Sequence, residues 1–368
     1  MDLAQASPAD EGQAQGPALD VGPLRNVLFA GDFWHGASER AIAQGLRNLG
    51  RNVQEAALLD HFLRSPSLTL RLAGRLLTPF SRRAYNAEIL RAAEAIGEGL
   101  FMTVRGSYVV SETLAALRAM GVKSALYYPD VDFEGAVDLD AVRDFDLVLT
   151  TKSYHAAFLD RLRGPGRSFH VSHGYSPAVH RPHRERIGED DYLYDVVFVG
   201  NADKHKASWL SQLRRAIPDR RMAIVGERWD LFAPGTALET CHLTGRIAGD
   251  LMAEIVQRSR INVAVHAWPE SPHGWRDEVS TRTFEIPACK GFMLHEDNDE
   301  VRTLFDVGAE IDVFGDAADL SAKVIRYLDQ PDRRAAMIER AYRRAVPAYS
   351  YYERARDISA IVGRELGG

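Results

Sequence analysis

The sequence predicts an α/β protein made of two doubly wound domains. Three observations lead there. The length of 368 residues suits about two domains of roughly 100–200 residues each. Short apolar runs, several ending in glycine, alternate with helical stretches. That alternation breaks between residues 175 and 191, in a segment with Pro177, Pro182 and clustered charge, and then restarts. Hydrophobic residues make up 46% of the chain, enough for a core in each half.

The first half opens on residues 26–31, NVLFAG, an apolar run typical of a strand in a parallel sheet. A polar loop, 32–38, leads to a helix over 39–49 that Gly50 stops, and residues 53–57 read as the next strand. This βαβ start implies a right-handed crossover. Residues 61–97 read as helical and basic, with Arg64, Arg71, Arg75, Arg82, Arg83 and Arg91. Strands follow at 99–104, 124–128, 147–150 and 169–172, with helices over 111–120 and 154–162. The second half repeats the pattern. Strands are expected at 196–200, 222–226, 242–244, 261–265 and 291–294, and helices at 207–217, 249–258, 283–289, 320–328, 331–345 and 350–366. The expected division is a disordered tail over 1–23, a first domain over 24–178, a second over 179–346, and a last segment over 347–368 that returns to the first domain.

The net charge of -6 argues against a nucleic-acid binder. Cys241 and Cys289 are too few for a disulfide framework and read as buried thiols. Residues 1–23 lack the basic start and apolar run of a signal peptide, and no stretch reaches the ~18 apolar residues of a membrane span. A cytoplasmic protein is expected. Any membrane contact is then peripheral, through residues 61–97, although a solvated helix face also fits that stretch.

Residues 280–294, STRTFEIPACKGFML, resemble the R-x-F-E-x-x-A-C-G-G/A-F segment of the CgeB-like spore-maturation glycosyltransferases, a branch of the group 1 glycosyltransferases. Further stretches resemble the same family: VVFVG at 196–200, YSYYERAR at 349–356, HGYSPAVHRP at 173–182, and residues 105–130. The resemblance implies a GT-B fold, two Rossmann-like domains facing across a cleft, with an acceptor on the first and a nucleotide sugar on the second. It also implies transfer with retention and no bound metal or other cofactor. Lys290 stands where the family usually has glycine.

A nucleotide-sugar site needs a ribose partner, cations for the diphosphate and a slot for the base. Glu285 can accept from both ribose hydroxyls, and the resemblance assigns it that role; a surface glutamate is the alternative. Ser280, Thr281, Arg282 and Thr283 start a helix, where backbone N–H groups and an arginine suit phosphate, and Arg282 is expected to act on the leaving diphosphate. Gly200 and Asn201, and then Gly226, end strands, with Lys204 and Arg228 as further candidate cations. Trp229 is either a wall for the base or a core residue. His266 and the loop beyond it, with Glu270, His273 and Trp275, suit sugar recognition, and their spacing matches no metal-ligand set. On the acceptor side, Asp32 or His35 can serve as the base of an inverting enzyme, with Trp34, Arg105, Asp130 and His173 facing the cleft. The acceptor itself, whether glycan, small molecule or protein, is not named by the sequence. The alternatives are an epimerase or phosphorylase on the same fold, or a non-catalytic nucleotide-binding scaffold.

Overall fold

The computed structural model describes residues 24–62, 68–133, 137–245, 247, 249–267 and 273–367. The expected tail over 1–23, Arg64 and Glu270 lie outside the described residues. Six parallel strands form the first sheet: β1 (Asn26–Gly31), β2 (Asn52–Ala57), β3 (Gly99–Val104), β4 (Val122–Tyr128), β5 (Leu147–Thr150) and β6 (Ser168–His170). Their order is β2-β1-β3-β4-β5-β6. The helices between them are α1 (Ser38–Asn48), α2 (Leu68–Ile96), α3 (Ser111–Ala119), α4 (Leu139–Asp144) and α5 (His155–Arg163).

Both faces of this sheet are covered at its centre, which is why β1, β3 and β5 are apolar nearly throughout, while the edge strand β2 keeps exposed polar positions. Successive residues of β1 feed opposite cores. Phe29 packs with Ile42 of α1, while Leu28 packs with Ile89 of α2 and Leu117 of α3.

The second sheet contains β7 (Tyr194–Val199), β8 (Met222–Val225), β9 (His242–Thr244), β10 (Ser259–Ala264), β11 (Met293–Glu296) and β12 (Asp312–Phe314), ordered β12-β11-β10-β7-β8-β9 and again parallel. Its helices are α6 (Lys204–Ala216), α7 (Trp229–Phe232), α8 (Asp250–Gln257), α9 (Thr281–Ala288), α10 (Asp299–Leu304), α11 (Ala317–Leu328) and α12 (Pro331–Ala345). The elements without a sequence signal are α4, α7, α10 and β12. They have six, four, six and three residues, too short for a period to show.

Each sheet reverses its strand order once, between β1 and β3 in the first and between β7 and β10 in the second. Ligands of such sheets bind at that reversal, beyond the carboxyl ends of the strands.

The chain crosses between the sheets twice, and the crossings are hydrogen-bonded to each other. Tyr175 N–H donates to Tyr349 O at 3.1 Å, and Tyr351 N–H donates to Tyr175 O at 2.8 Å. A Cβ on Gly174 would lie 2.9 Å from Tyr349 O, so the two strands of the crossing meet only because that residue is glycine. After the second crossing, α13 (Tyr351–Leu366) packs on the first domain, where Tyr351, Ala355, Ile358 and Val362 join Ile42 and Leu46. Gly45 lets the two helices close: a Cβ there would lie 2.7 Å from Ala355 Cβ and 3.1 Å from Tyr352 Cα. Among the described residues, no helix is long and apolar enough to cross a membrane.

Gly45→Val should therefore overpack the α1–α13 seam and cost about 1–3 kcal/mol. Urea unfolding of the full chain reads this directly. An unchanged midpoint would show that the seam is looser than drawn.

Candidate functional site

The carboxyl ends of both sheets face a cleft that contains two adjoining cavities of about 430 and 390 Å³. This is the size range of small-molecule sites. The larger is lined by Asp32, Glu39, Tyr85, Arg105 and Asp130 of the first domain, and by Asp277, Ser280, Thr281 and Glu285 of the second. The smaller is lined by Gly200, Asn201, Gly226 and Met252. Trp34, Arg105, Arg282 and Glu285 border both.

The wall formed by β7 and β8 is held by close backbone packing. Gly226 has φ +152°, and a Cβ there would lie 2.0 Å from Gly200 O. No other residue fits the two strand ends together this tightly. Trp229 is fully buried, and its indole N–H donates to Gly200 O at 2.9 Å. It braces the loop from the core and is not a wall for a base. Asn201 Oδ1 accepts from Glu227 N at 3.0 Å. The expected cations Lys204 and Arg228 are exposed and line neither cavity, and the Arg228 guanidinium lies 6.0 Å from the Phe232 ring. A solvated helix start and a left-handed turn carry them away from the cleft.

Helix α9 begins in the cleft. Ser280 N–H donates to Thr283 Oγ1 at 3.2 Å, tying down the first turn. Ser280 and Thr281 border the larger cavity, but Thr283 is buried, its hydroxyl 2.9 Å from His295 Nε2. At the other end, Gly291 N–H donates to Ile286 O at 2.9 Å and Lys290 N–H to Pro287 O at 3.0 Å, which closes the helix in a Schellman motif. Lys290 takes the left-handed position at φ +56°, where the family pattern has glycine. Its ammonium pairs with Glu339 at 2.7 Å and sits 4.9 Å from the Tyr342 ring. Lys290 therefore anchors α12 and lines neither cavity.

Arg282 and Glu285 form an ion pair with each other. Arg282 Nε also donates to Val199 O at 3.1 Å, which fixes the guanidinium beneath the end of β7. His180, from the first crossing, completes the group. Its Nδ1 accepts from Ser176 N at 3.0 Å, so its proton is on Nε2, which faces Glu285 Oε1 at 3.5 Å. Burial, then the nearby Arg282 and His35, push the His180 pKa down to about 3, leaving it neutral.

A second buried group joins the domains. Lys152, just beyond β5, pairs with Asp277 and donates to Val279 O at 2.8 Å and to His173 Nε2 at 3.3 Å. Burial alone would raise the Asp277 carboxyl, but Lys152 and His266 outweigh it and hold the pKa well below the usual range. His173 is kept neutral by burial and by Lys152. With Nε2 accepting, its proton is on Nδ1, a buried donor at the cleft wall that has no hydrogen-bond partner among the described residues. His266 lies behind this layer, its Nε2 2.8 Å from His295 Nε2, and it borders neither cavity. It orders the wall rather than facing a sugar.

On the first domain, Arg105 grips Asp130 through two contacts, Nε to Oδ2 at 2.7 Å and Nη2 to Oδ1 at 2.8 Å. Asp32 borders the larger cavity together with Glu39, whose carboxyl is raised mainly by burial. His35 does not join them. It is exposed and borders a separate cavity of about 330 Å³ with Arg40, Gln44 and Ser176. Glu39, Lys152, His180 and Asp277 had no sequence signal as site residues. Their roles depend on chain crossings that no local pattern encodes.

Residues 204–360 match a protein-family profile described as glycosyl transferase-like. The match covers less than half of the chain, and the two-sheet architecture is a GT-B fold. Known structures agree on the fold. Sucrose-phosphate synthase from Thermosynechococcus elongatus superposes with TM-score 0.65 at 12% identity, over 92% of this chain and 98% of that one. A glycosyltransferase from Rickettsia africae gives 0.63 at 12% identity over 93% and 98%. HepE from Anabaena, solved with UDP-glucose, gives 0.57 at 11% identity over 92% and 99%. No curated protein sequence matches the chain significantly.

Two outcomes test this geometry. Lys152→Met leaves Asp277 without its counter-ion and should cost about 3–5 kcal/mol of stability in chemical unfolding. A cost under 1 kcal/mol would remove the interdomain pair as a structural element. Glu300 of α10 faces His170 of β6 at 3.7 Å. Burial pushes its pKa up to about 7; Lys152 opposes this, and Glu278 and Asp277 add to it. The folded state thus holds this proton more tightly than the unfolded chain. Its stabilising contribution is complete below the ordinary 4.5 and is lost as pH rises through about 7. Glu300→Gln should gain stability over the native chain as pH rises across that window. A difference flat with pH would exclude it.

Proposed function

We propose that this chain transfers a sugar from a nucleoside-diphosphate sugar to an acceptor hydroxyl. One observation carries the reading: the Arg282–Glu285 pair sits at the start of α9, where the two cavities meet, inside the segment that matches the glycosyl transferase-like family. The smaller cavity, at the Gly200 and Gly226 strand ends, takes the nucleoside, with Glu285 accepting from the ribose. Arg282 neutralises the diphosphate and stabilises the charge that builds as it leaves. The sugar then lies in the larger cavity, where the His173 Nδ1 proton can be donated to a ligand oxygen. The acceptor approaches from Asp32, Trp34 and Arg105.

The complex of HepE with UDP-glucose supports a uridine donor as the first to try. The 280–294 segment supports placement with the CgeB-like branch. Arg282 supplies the positive charge that a metal would otherwise provide, so transfer proceeds without one. Asp130 is neutralised by Arg105, and His35 faces another cavity. Asp32 and Glu39 remain as carboxylates at the acceptor position, so the choice of retention rests on the resemblance of the 280–294 segment to the CgeB-like branch.

Glu285→Ala should weaken binding of a uridine diphosphate probe about tenfold or more, the value of a charge-assisted hydrogen bond. Calorimetry on the full chain measures it, and far-UV circular dichroism checks the fold. Unchanged affinity would remove Glu285 from the nucleotide site. If no nucleoside diphosphate in a panel bound the native chain, the transferase reading would fall.

A further inference from the structure

Among the described residues, helix α2 presents an outer face that is left exposed. Leu76 is 79% exposed, Phe80 66% and Leu77 51%. At helical spacing these three side chains fall on one side. The opposite side is buried, with Tyr85, Ile89 and Ala93 packed against the first sheet. An apolar cluster of this kind on an otherwise ordinary surface marks an interaction site.

Charge says what the site binds. The chain is acidic overall at -6, yet residues 61–87 contain five arginines and no aspartate or glutamate. Arg75, Arg82 and Arg83 flank the apolar cluster and are exposed, as is Arg91 two turns on. None of these four forms an ion pair among the described residues. Arginines around a small apolar face are what an anionic lipid surface attracts: the cations meet the headgroups and the apolar side chains enter the acyl boundary.

We propose that α2 docks this protein on anionic membranes through Leu76, Leu77 and Phe80, with Arg75, Arg82, Arg83 and Arg91 at the headgroup level. The same helix sends Tyr85 into the lining of the larger cavity. Docking therefore holds the acceptor side of the cleft one helix diameter, roughly 10 Å, from the membrane surface. Resting on the transferase reading above, the acceptor class follows: a hydroxyl carried by a membrane-anchored, amphiphilic molecule.

The test is flotation of the full chain with two kinds of vesicle, phosphatidylcholine alone and phosphatidylcholine mixed equally with phosphatidylglycerol. Binding to the mixed vesicles only, weakened by salt, is expected. The double variant Leu76→Glu/Phe80→Glu should lose this binding on the order of tenfold or more while keeping native circular dichroism and nucleoside diphosphate binding. Absence of binding to the mixed vesicles at low salt would overturn the proposal. So would equal binding by the double variant. A concentration-dependent dimer of the native chain that the double variant abolishes, without vesicle binding, would reassign the face to self-association. Loss of lipid binding with nucleotide binding intact separates this proposal from the transferase reading, which fails only if the nucleotide does not bind.

Discussion

A single buried lysine holds the two sheets in register. Lys152 leaves the end of β5 in the first domain and spends all three ammonium protons on second-domain or crossing groups: Asp277, Val279 O and His173. A buried ammonium is costly unless every proton is accepted. The cheapest arrangement is therefore one in which the domains sit where Asp277 and Val279 can reach it. Aromatic rings close the same edge, with Trp275 of the second domain 4.8 Å from His155 and 5.2 Å from Phe158 of the first. The doubled crossing at Tyr175 and Tyr349–Tyr351 fixes the other edge by backbone hydrogen bonds. With both edges tied, the carboxyl ends of the strands face each other across the cleft.

That geometry determines how the site stores charge. Three cation–carboxylate pairs are already formed at the cleft: Arg282 with Glu285, Arg105 with Asp130, and Lys152 with Asp277. The surrounding histidines, His173 and His180, are kept neutral by burial and by these cations. Such a site is preorganised because its groups are held by one another rather than by solvent. On the proposed transferase reading, an entering diphosphate would share Arg282 with Glu285, and the ribose hydroxyls would compensate the carboxylate. The ligand would thus replace an internal pair with two external ones and leave no charge stranded.

The sequence exposed the parts of this that are periodic or local. Apolar runs ending at Gly31 and Gly200 marked strands because a parallel sheet buried on both faces has no polar positions to spare. Glu285 and Arg282 were legible because their chemistry is carried by types and spacing at one helix start. The rest depends on distances across the fold. Asp277 looks like any loop aspartate until Lys152, far away in sequence, is placed beside it. Trp229 was open to either reading because a tryptophan after a strand end can face in or out. Only the Gly200 carbonyl within reach of its N–H decides for the core. His35 and Asp32 are three residues apart, yet the turn that ends at Ala37 sends them to different cavities.

Lys290 shows how a departure from a family pattern is resolved physically. The position needs a left-handed backbone because α9 must end there and turn directly into the strand that carries His295 and Glu296. Glycine meets that need at no steric cost, and lysine meets it with strain of order 1 kcal/mol or more. The strain persists because the side chain gains an ion pair with Glu339 and a ring contact with Tyr342, both on α12. The substitution thus couples the end of the donor-side helix to the helix that leads into the second crossing. Whatever moves α12 is felt at the end of α9, one helix length from Arg282, and this link belongs to the scaffold of the site rather than to its contacts.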